Sequence, residues 1–113
     1  MVTQARSARQ ALLDSAAALF LEHGFDAVSM EQVRLQAGAS NGSLYHHFPT
    51  KAHLARDVYL SAMADYQAHM KAAIGPATPA EAGVRALVDR HIAWVLASPR
   101  QALVLDRLRS FTA

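Results

Sequence analysis

The segment from Gly38 to Lys51, which reads G-A-S-N-G-S-L-Y-H-H-F-P-T-K, constrains the fold of this chain more than any other. Gly38 is a helix stop, and Ser40 and Thr50 are N-cap residues that start new helices. Only a helix of about two turns fits between them, because Pro49 disfavours helical geometry at the residue before it. The segment therefore predicts a turn, a very short helix and the start of a long helix in close succession.

The first turn of this short helix consists of weak helix formers. Gly42 weakens a helix interior by about 1 kcal/mol relative to Ala, and its neighbours Asn41 and Ser43 are poor core residues. Neither helix stability nor core packing explains the choice. The pattern indicates that contact with another molecule dictates these residues.

Composition places the chain among helical proteins. Of its 113 residues 52% are apolar, while Gly and Pro are few, which suits an all-α protein of one domain, or of one domain and part of another. No apolar run approaches the ~20 residues that a membrane span needs, and no signal region opens the chain. The absence of Cys excludes disulfides and Cys-ligated zinc and fits a reducing cytoplasm. The net charge of +2 is too small to indicate nucleic-acid binding by itself.

Apolar periodicity predicts six helices, divided by the loop from Gly75 to Thr78. Residues 1–50 are expected to form a three-helix unit, and residues 51–113 a long linking helix four with two further helices. The expected bounds of the six helices are about 5–23, 30–37, 41–47, 51–74, 79–97 and 99–111. Helix five is expected to turn one apolar stripe inward, which comprises Val84, Leu87, Val88, His91 and Val95.

The helix starts follow a common pattern. Ser29 with Gln32, and Thr78 with Glu81, are predicted capping boxes, and Ser98 repeats the start signal. Helix two, the turn at Gly38 and the short helix three together match a helix-turn-helix. In that motif the second helix enters the DNA major groove with its N-terminal residues at the base edges.

Lys51 supports an anion-binding interpretation of this end of the chain. It lies in the first turn of helix four, where the helix dipole disfavours a cation by roughly 0.3–1 kcal/mol. A DNA phosphate would explain it, because backbone N–H groups and an ammonium can bind one anion together. Tyr45 and His47 add hydrogen-bond donors nearby. The alternative is that Tyr45 and His47 pack against helix one and Lys51 is solvated.

The residues that carry a family resemblance lie between Arg6 and Leu60. They are Phe25, Val28-Ser29-Met30, Ala37-Gly38, Ser40, Gly42-Ser43-Leu44-Tyr45, His47-Phe48 and Thr50-Lys51. This pattern closely resembles the N-terminal domain of tetracycline-repressor (TetR) family regulators. By that resemblance, Ser29, Ser40, Tyr45, His47 and Lys51 are candidates for phosphate contact, and Asn41, Gly42, Ser43 and His46 are candidates for facing the bases.

Three arginines have open interpretations. Arg34 stands where the family usually has a small residue, so its stem either runs outward along the helix or brings its charge to the DNA backbone. Arg6 and Arg9 either contact phosphates or serve solubility.

The resemblance also implies a mechanism. A homodimer of the full-length protein would bind a palindromic operator, and an unidentified small-molecule inducer would control repression from a regulatory domain of which this chain holds the first part. Candidate residues of the inducer pocket are Tyr66, Met70, His91 and Trp94. The family is bacterial, so the expected location is the cytoplasm, at the nucleoid, with no membrane partner.

Other classes of function find less support in the sequence. No two histidines have the i, i+4 spacing, accompanied by a carboxylate, that helical zinc sites use, so we expect no metal and no cofactor. Nucleophile motifs and a phosphate-binding Gly-rich loop are missing, so we expect no enzyme. The alternative is a helical interaction or adaptor module without DNA binding. Its binding face would consist of Met63, Tyr66, Met70 and Trp94.

Overall fold

The computed structural model describes residues 7–73, 75–76 and 78–112. Over these residues the chain is all-α, as the sequence predicts. The helices are α1 (Ala8–His23), α2 (Met30–Ala37), α3 (Asn41–His47), α4 (Lys51–Lys71), α5 (Ala80–Ala97) and α6 (Pro99–Arg107), followed by a 3₁₀ turn (Arg109–Thr112).

Local signals determine how α2 begins and ends. The predicted capping box is confirmed: Ser29 Oγ accepts the Gln32 N–H at 3.1 Å, and Gln32 Oε1 accepts the Ser29 N–H at 2.8 Å. Gly38 then takes the left-handed conformation, with φ 68° and ψ 31°. Glycine adopts this conformation without a Cβ penalty, which is why α2 stops there.

The predicted capping box at Thr78 is wrong. The N-cap of α5 is Pro79, and Thr78 Oγ1 instead accepts the Gly75 N–H at 2.9 Å, which closes the preceding turn. The helix therefore starts one residue later than expected. Ser98 is the N-cap of α6, as predicted, but it makes no side-chain capping bond among the described residues.

The C-terminal ends of α4 and α6 come earlier than expected. Helix α4 ends at Lys71 and is followed by a turn, and its predicted end at Ile74 lies outside the described residues. The predicted start of helix one at residue 5 also lies outside them. The last helix was expected to reach residue 111, yet α6 ends at Arg107. Phe111 donates its N–H to the Leu108 carbonyl at 3.1 Å, which is the tighter bonding of a 3₁₀ turn.

The core forms around α1. Leu12, Ala16 and Phe20 on one face of α1 are almost fully buried against side chains from α2, α3 and α4. Val104 and Leu108 from the C-terminal part of the chain join the same cluster, because α6 packs on both α1 and α4. The front helices and the last helix therefore share one hydrophobic core.

The predicted inward stripe of α5 is wrong at three of its positions. Val84 is 63% exposed and Val88 is 52% exposed, and His91 is also exposed, whereas Leu87 and Val95 are partly buried. The helix packs on α4 and α6 through a different face, on which Gly83 and Trp94 are buried. Residues one turn apart on the opposite side consequently face outward: Val84, Val88, Ile92 and Leu96.

Within the described ranges, none of the helices combines the length and the apolarity that crossing a lipid bilayer requires.

Candidate nucleic-acid interface

The turn between α2 and α3 is held by short-range hydrogen bonds. Gly38 and Ala39 donate their N–H groups to the carbonyls of Leu35 and Arg34, at 3.2 and 3.1 Å. Ser40 then caps α3 through its Oγ, which accepts the Ser43 N–H at 3.1 Å. These bonds satisfy the helix ends locally and fix the direction in which α3 leaves the turn.

Helix α3 has one buried side and one exposed side. Leu44 on α3 and Phe48 just after it are fully buried and anchor the helix to the core. The candidates Asn41, Gly42, Tyr45 and His46 are exposed, and Ser43 and His47 are partly buried. Tyr45, at 50% exposed, is a large aromatic side chain in solvent, so packing against α1 does not account for it.

Nothing inside the fold requires glycine at position 42. A Cβ added to Gly42 would meet only Ser40 Oγ among the described residues, at 3.9 Å, which is ordinary van der Waals contact. Its backbone is helical rather than left-handed. The missing side chain therefore leaves open space on the outer surface of α3, where another molecule can approach the backbone closely.

Lys51 has an intramolecular role that the sequence did not reveal. Its Nζ donates to the carbonyl oxygens of Phe25 and Val28, at 2.8 and 2.9 Å, and lies 4.2 Å from the centre of the Phe25 ring. These contacts stabilise the loop that joins α1 to α2. A phosphate is therefore not needed to explain this lysine, and the alternative of a solvated Lys51 is wrong; its phosphate contact stays a prediction.

A row of aromatic rings leads from α3 to the start of α4. The rings of His46 and His47 are 5.0 Å apart, those of His47 and Phe48 are 6.0 Å apart, and those of Phe48 and His53 are 6.4 Å apart. Phe48 is buried between the two histidines that follow and precede it in this row. The C-terminal end of α3 and the N-terminal end of α4 therefore form one continuous surface.

A charged cluster lies beside this row of rings and was not predicted from the sequence. Asp57 Oδ2 lies 3.3 Å from Arg9 Nη2 and 3.3 Å from His53 Nε2, and Asp57 Oδ1 lies 3.7 Å from Arg56 Nε. The Arg9 guanidinium also lies over the Phe48 ring, 5.5 Å from its centre. The i, i+4 spacing of His53 and Asp57 was a readable signal. The pairing with Arg9, from another helix, was not.

Arg34 is directed into the protein rather than toward solvent. It donates to Glu31 through Nε at 3.0 Å and to the Ala39 carbonyl through Nη1 at 3.1 Å. The hydrogen bond from Arg34 lowers the pKa of Glu31 below its ordinary value and raises the pKa of Arg34. Arg34 thus stabilises the turn between α2 and α3. This role differs from the two predicted for it, a stem running outward along the helix and contact with the DNA backbone. Arg6 lies outside the described residues.

Three of the four pocket candidates, Tyr66, His91 and Trp94, form a polar–aromatic contact group with Asp65 between α4 and α5. The hydroxyl of Tyr66 lies 2.9 Å from His91 Nδ1, and Trp94 Nε1 donates to Asp65 Oδ2 at 2.9 Å. The rings of Tyr66 and Trp94 meet edge to face with centres 5.0 Å apart.

Beside this group an open groove of about 880 Å³ separates the end of α4 from α5. Tyr66 and Met70 line the groove, whereas His91 and Trp94 are not among its described lining residues. Trp94 is only 3% exposed, so it serves packing between the helices. The groove's described lining residues are Ala64, Tyr66, Gln67, Ala68, Met70, Lys71, Gly75, Pro76 and Leu87.

The histidines that the structure describes are not arranged to bind a metal ion together. No group of three or more His, Cys, Asp or Glu side chains placed to hold an ion occurs among those residues.

Comparison with known proteins gives a consistent result. Residues 12–58 match the family model described as bacterial regulatory proteins, tetR family. The HTH-type transcriptional repressor KstR2 of Rhodococcus jostii is 32% identical over 87 residues, which are 76% of this chain and 43% of that protein. The transposon Tn10 TetC protein of Escherichia coli is 39% identical over 54 residues, 48% of this chain and 27% of that protein.

A solved structure shows the same fold. A protein from Shewanella sp. PV-4, described as a tetR family transcription regulator, superimposes with a TM-score of 0.81 at 27% identity, over 86% of this chain and 52% of that one. The chain thus spans about half, or less, of the length of the proteins it matches. Because the helix-turn-helix geometry and the family match fall in the same residues, residues 12–58 carry the N-terminal domain of the tetR family of bacterial regulatory proteins.

Proposed function

We propose that this chain is the DNA-binding part of a ligand-responsive transcriptional repressor. The observation that carries the proposal is the division of α3 into a buried anchor and an exposed face of polar and aromatic residues. Leu44 holds the helix while Asn41, Gly42, Tyr45 and His46 face solvent. An interior helix would not present this set outward, and the major groove accepts it.

The exposed residues divide by the groups they offer. The amide of Asn41 suits adenine, and the hydroxyl of Ser43 suits several bases. Tyr45 and His47 offer donors near the C-terminal end of α3, where phosphates would flank the groove. The capping hydroxyl of Ser40 accepts from the backbone and still has its own proton to donate. Ser29 is in the same position at the start of α2.

Two-fold pairing completes the proposed mode of binding. A single short helix reads few base pairs, so helix-turn-helix proteins bind two half-sites about one helical turn apart as dimers. We infer that the full-length protein is a homodimer on a palindromic operator. KstR2 is itself named a transcriptional repressor, which supports repression as the outcome, in the cytoplasm of a bacterial cell.

The groove beside Tyr66 and Met70 is the proposed entry point of inducer control. It lies at the opposite end of α4 from Lys51, so a molecule bound there contacts the helix that carries part of the DNA surface. An inducer acts only if it binds the two states of the protein with different affinities. The groove is lined mainly by apolar side chains, with Tyr66, Gln67 and Lys71 as its polar groups, and this lining favours a mainly apolar molecule with a few polar groups.

The adaptor interpretation loses its binding face in the structure. Trp94 is buried, and Met63, Tyr66 and Met70 are partly buried between α4 and its neighbours. Trp94 therefore serves packing, and Tyr66 and Met70 line a groove rather than an open face for a partner protein. DNA binding is therefore the function that the exposed residues support.

Binding to duplex DNA tests the proposal directly. The chain is titrated against fluorescently labelled duplexes selected from a random library. The NaCl concentration is varied from about 25 to 200 mM, a range over which binding through phosphate contacts weakens steeply. We expect log affinity to fall linearly with log salt. Tyr45→Phe removes one hydroxyl and should weaken binding severalfold. Tyr59→Phe, at a partly buried tyrosine packed against the core, is the matched control. Salt-insensitive or absent binding would refute the proposal.

A further inference from the structure

Asp57 is the acidic centre of a cationic surface. Its side chain is 13% exposed and contacts Arg9, His53 and Arg56, whose side chains are 47%, 36% and 47% exposed. The three basic groups come from the first turns of α1 and α4. The carboxylate is thus mostly covered by its partners, while the partners reach solvent.

The cluster adjoins the proposed DNA surface. Arg9 lies over the ring of Phe48, and His53 lies 6.4 Å from the same ring, which is next to His47 in the row of rings. Both guanidinium groups face solvent here and each uses a single nitrogen toward Asp57. Their remaining N–H donors are suited to phosphate oxygens. A duplex lying along α3 would bring its backbone close to them.

From this arrangement we propose that Asp57 limits the sequence-independent affinity of the chain for DNA. The inference rests on the proposed function. A carboxylate within a few ångströms of two permanent cations cancels part of their attraction for phosphates, and it competes for the same donors. Because that attraction carries no base information, Asp57 lowers the affinity for every duplex and leaves base readout to α3. Asp57 therefore sets the overall DNA affinity of the chain, acting through Arg9 and Arg56.

The test compares two Asp→Asn variants of the chain on a labelled random-sequence duplex. Asp57→Asn should bind about three- to tenfold more tightly at low salt, with a log–log salt slope steeper by about one. Asp89→Asn makes the same change in net charge on the exposed side of α5 and should bind like the wild type. Circular dichroism confirms that each variant keeps its helix content.

Arg9→Gln provides a second, independent readout at an exposed residue. We expect it to weaken binding less than twofold in the wild-type background, because Asp57 already neutralises that charge. In the Asp57→Asn background the same change should weaken binding severalfold. Equal effects in the two backgrounds would show that Arg9 acts without Asp57.

The outcomes separate the two proposals. Wild-type binding that falls with salt, together with an Asp57→Asn affinity and slope equal to those of Asp89→Asn, overturns the role of Asp57 and leaves DNA binding intact. A wild-type chain that shows no salt-dependent binding overturns DNA binding and this inference with it.

Discussion

Gly42→Ala should change stability and DNA binding in opposite directions. Gly42 is the second residue of α3 and has a helical backbone, so alanine fits without strain. The new Cβ would have only Ser40 Oγ near it among the described residues, at 3.9 Å. Replacing a glycine at such a site stabilises a protein by about 0.4–1 kcal/mol, chiefly because the unfolded chain loses conformational freedom.

The expected thermal shift follows from that free energy. For a domain of this size, 1 kcal/mol changes the melting temperature by roughly 4–8 °C, so the variant should melt about 2–8 °C above the wild type. Calorimetry or circular dichroism at fixed salt measures it. A lower melting temperature would mean that the space around Gly42 is occupied in the folded protein.

DNA affinity should fall in the same variant. If the α3 backbone approaches the duplex at Gly42, the added methyl group separates the two surfaces, and the loss should resemble one wrong base pair, about 1–3 kcal/mol or roughly 5- to 150-fold in affinity. Gly75→Ala is the matched control, because its Cβ would also meet a hydroxyl at 3.9 Å, that of Thr78, in a loop far from α3. Unchanged affinity of Gly42→Ala for selected duplexes would refute the close approach of α3 to DNA.

Three further predictions concern single contacts. Lys51→Ala should destabilise the fold by about 1–2 kcal/mol, because two carbonyls lose a charged donor, and a chemical denaturation midpoint equal to that of the wild type would contradict this. Arg34→Ala should let the pKa of Glu31 rise toward its ordinary value. The bond between Arg34 and Glu31 stabilises the fold at pH values above the pKa of Glu31 in the unfolded chain. This stabilisation is lost as the pH falls through the lower pKa of Glu31 in the folded protein. NMR titration of the Glu31 carboxylate in both proteins measures the change. Asp65→Ala should cost about 1–3 kcal/mol, because the buried indole N–H of Trp94 loses its acceptor, and a shifted tryptophan emission with a lower melting temperature checks it.

The helices of the front unit were predictable because their signals act over a few residues. Ser29 and Gln32 are three residues apart and cap α2 in the structure as the sequence predicts. Gly38 stops α2 through its own backbone angles. The prediction failed at Thr78 because a second local bond competed with the cap. Thr78 Oγ1 accepts the N–H of Gly75 in the preceding turn and does not cap α5.

Burial was predictable only where a helix contacts its neighbours through the expected face. In the middle of α1 the apolar residues at three- and four-residue spacing, Leu12, Ala16 and Phe20 among them, are buried because other helices surround them, whereas Ala8 and His23 at its ends are exposed. In α5 the same periodicity placed Val84 and Val88 inward, and both are exposed. Periodicity identifies an apolar side of a helix. It does not state which neighbour covers that side, because coverage depends on packing between distant parts of the chain.

The sequence by itself determined the all-α class, the helix-turn-helix and the family that residues 12–58 match. The first two rest on bonds or spacings within a helix or a turn, and the third on a pattern of residues along the front helices. Only the tertiary structure decided how the charges are used. Lys51 bonds to carbonyls 26 and 23 residues away, and Arg9 pairs with an aspartate 48 residues away. Such partners meet only after the core has brought α1 and α4 together, because no local rule links residues so far apart in the chain.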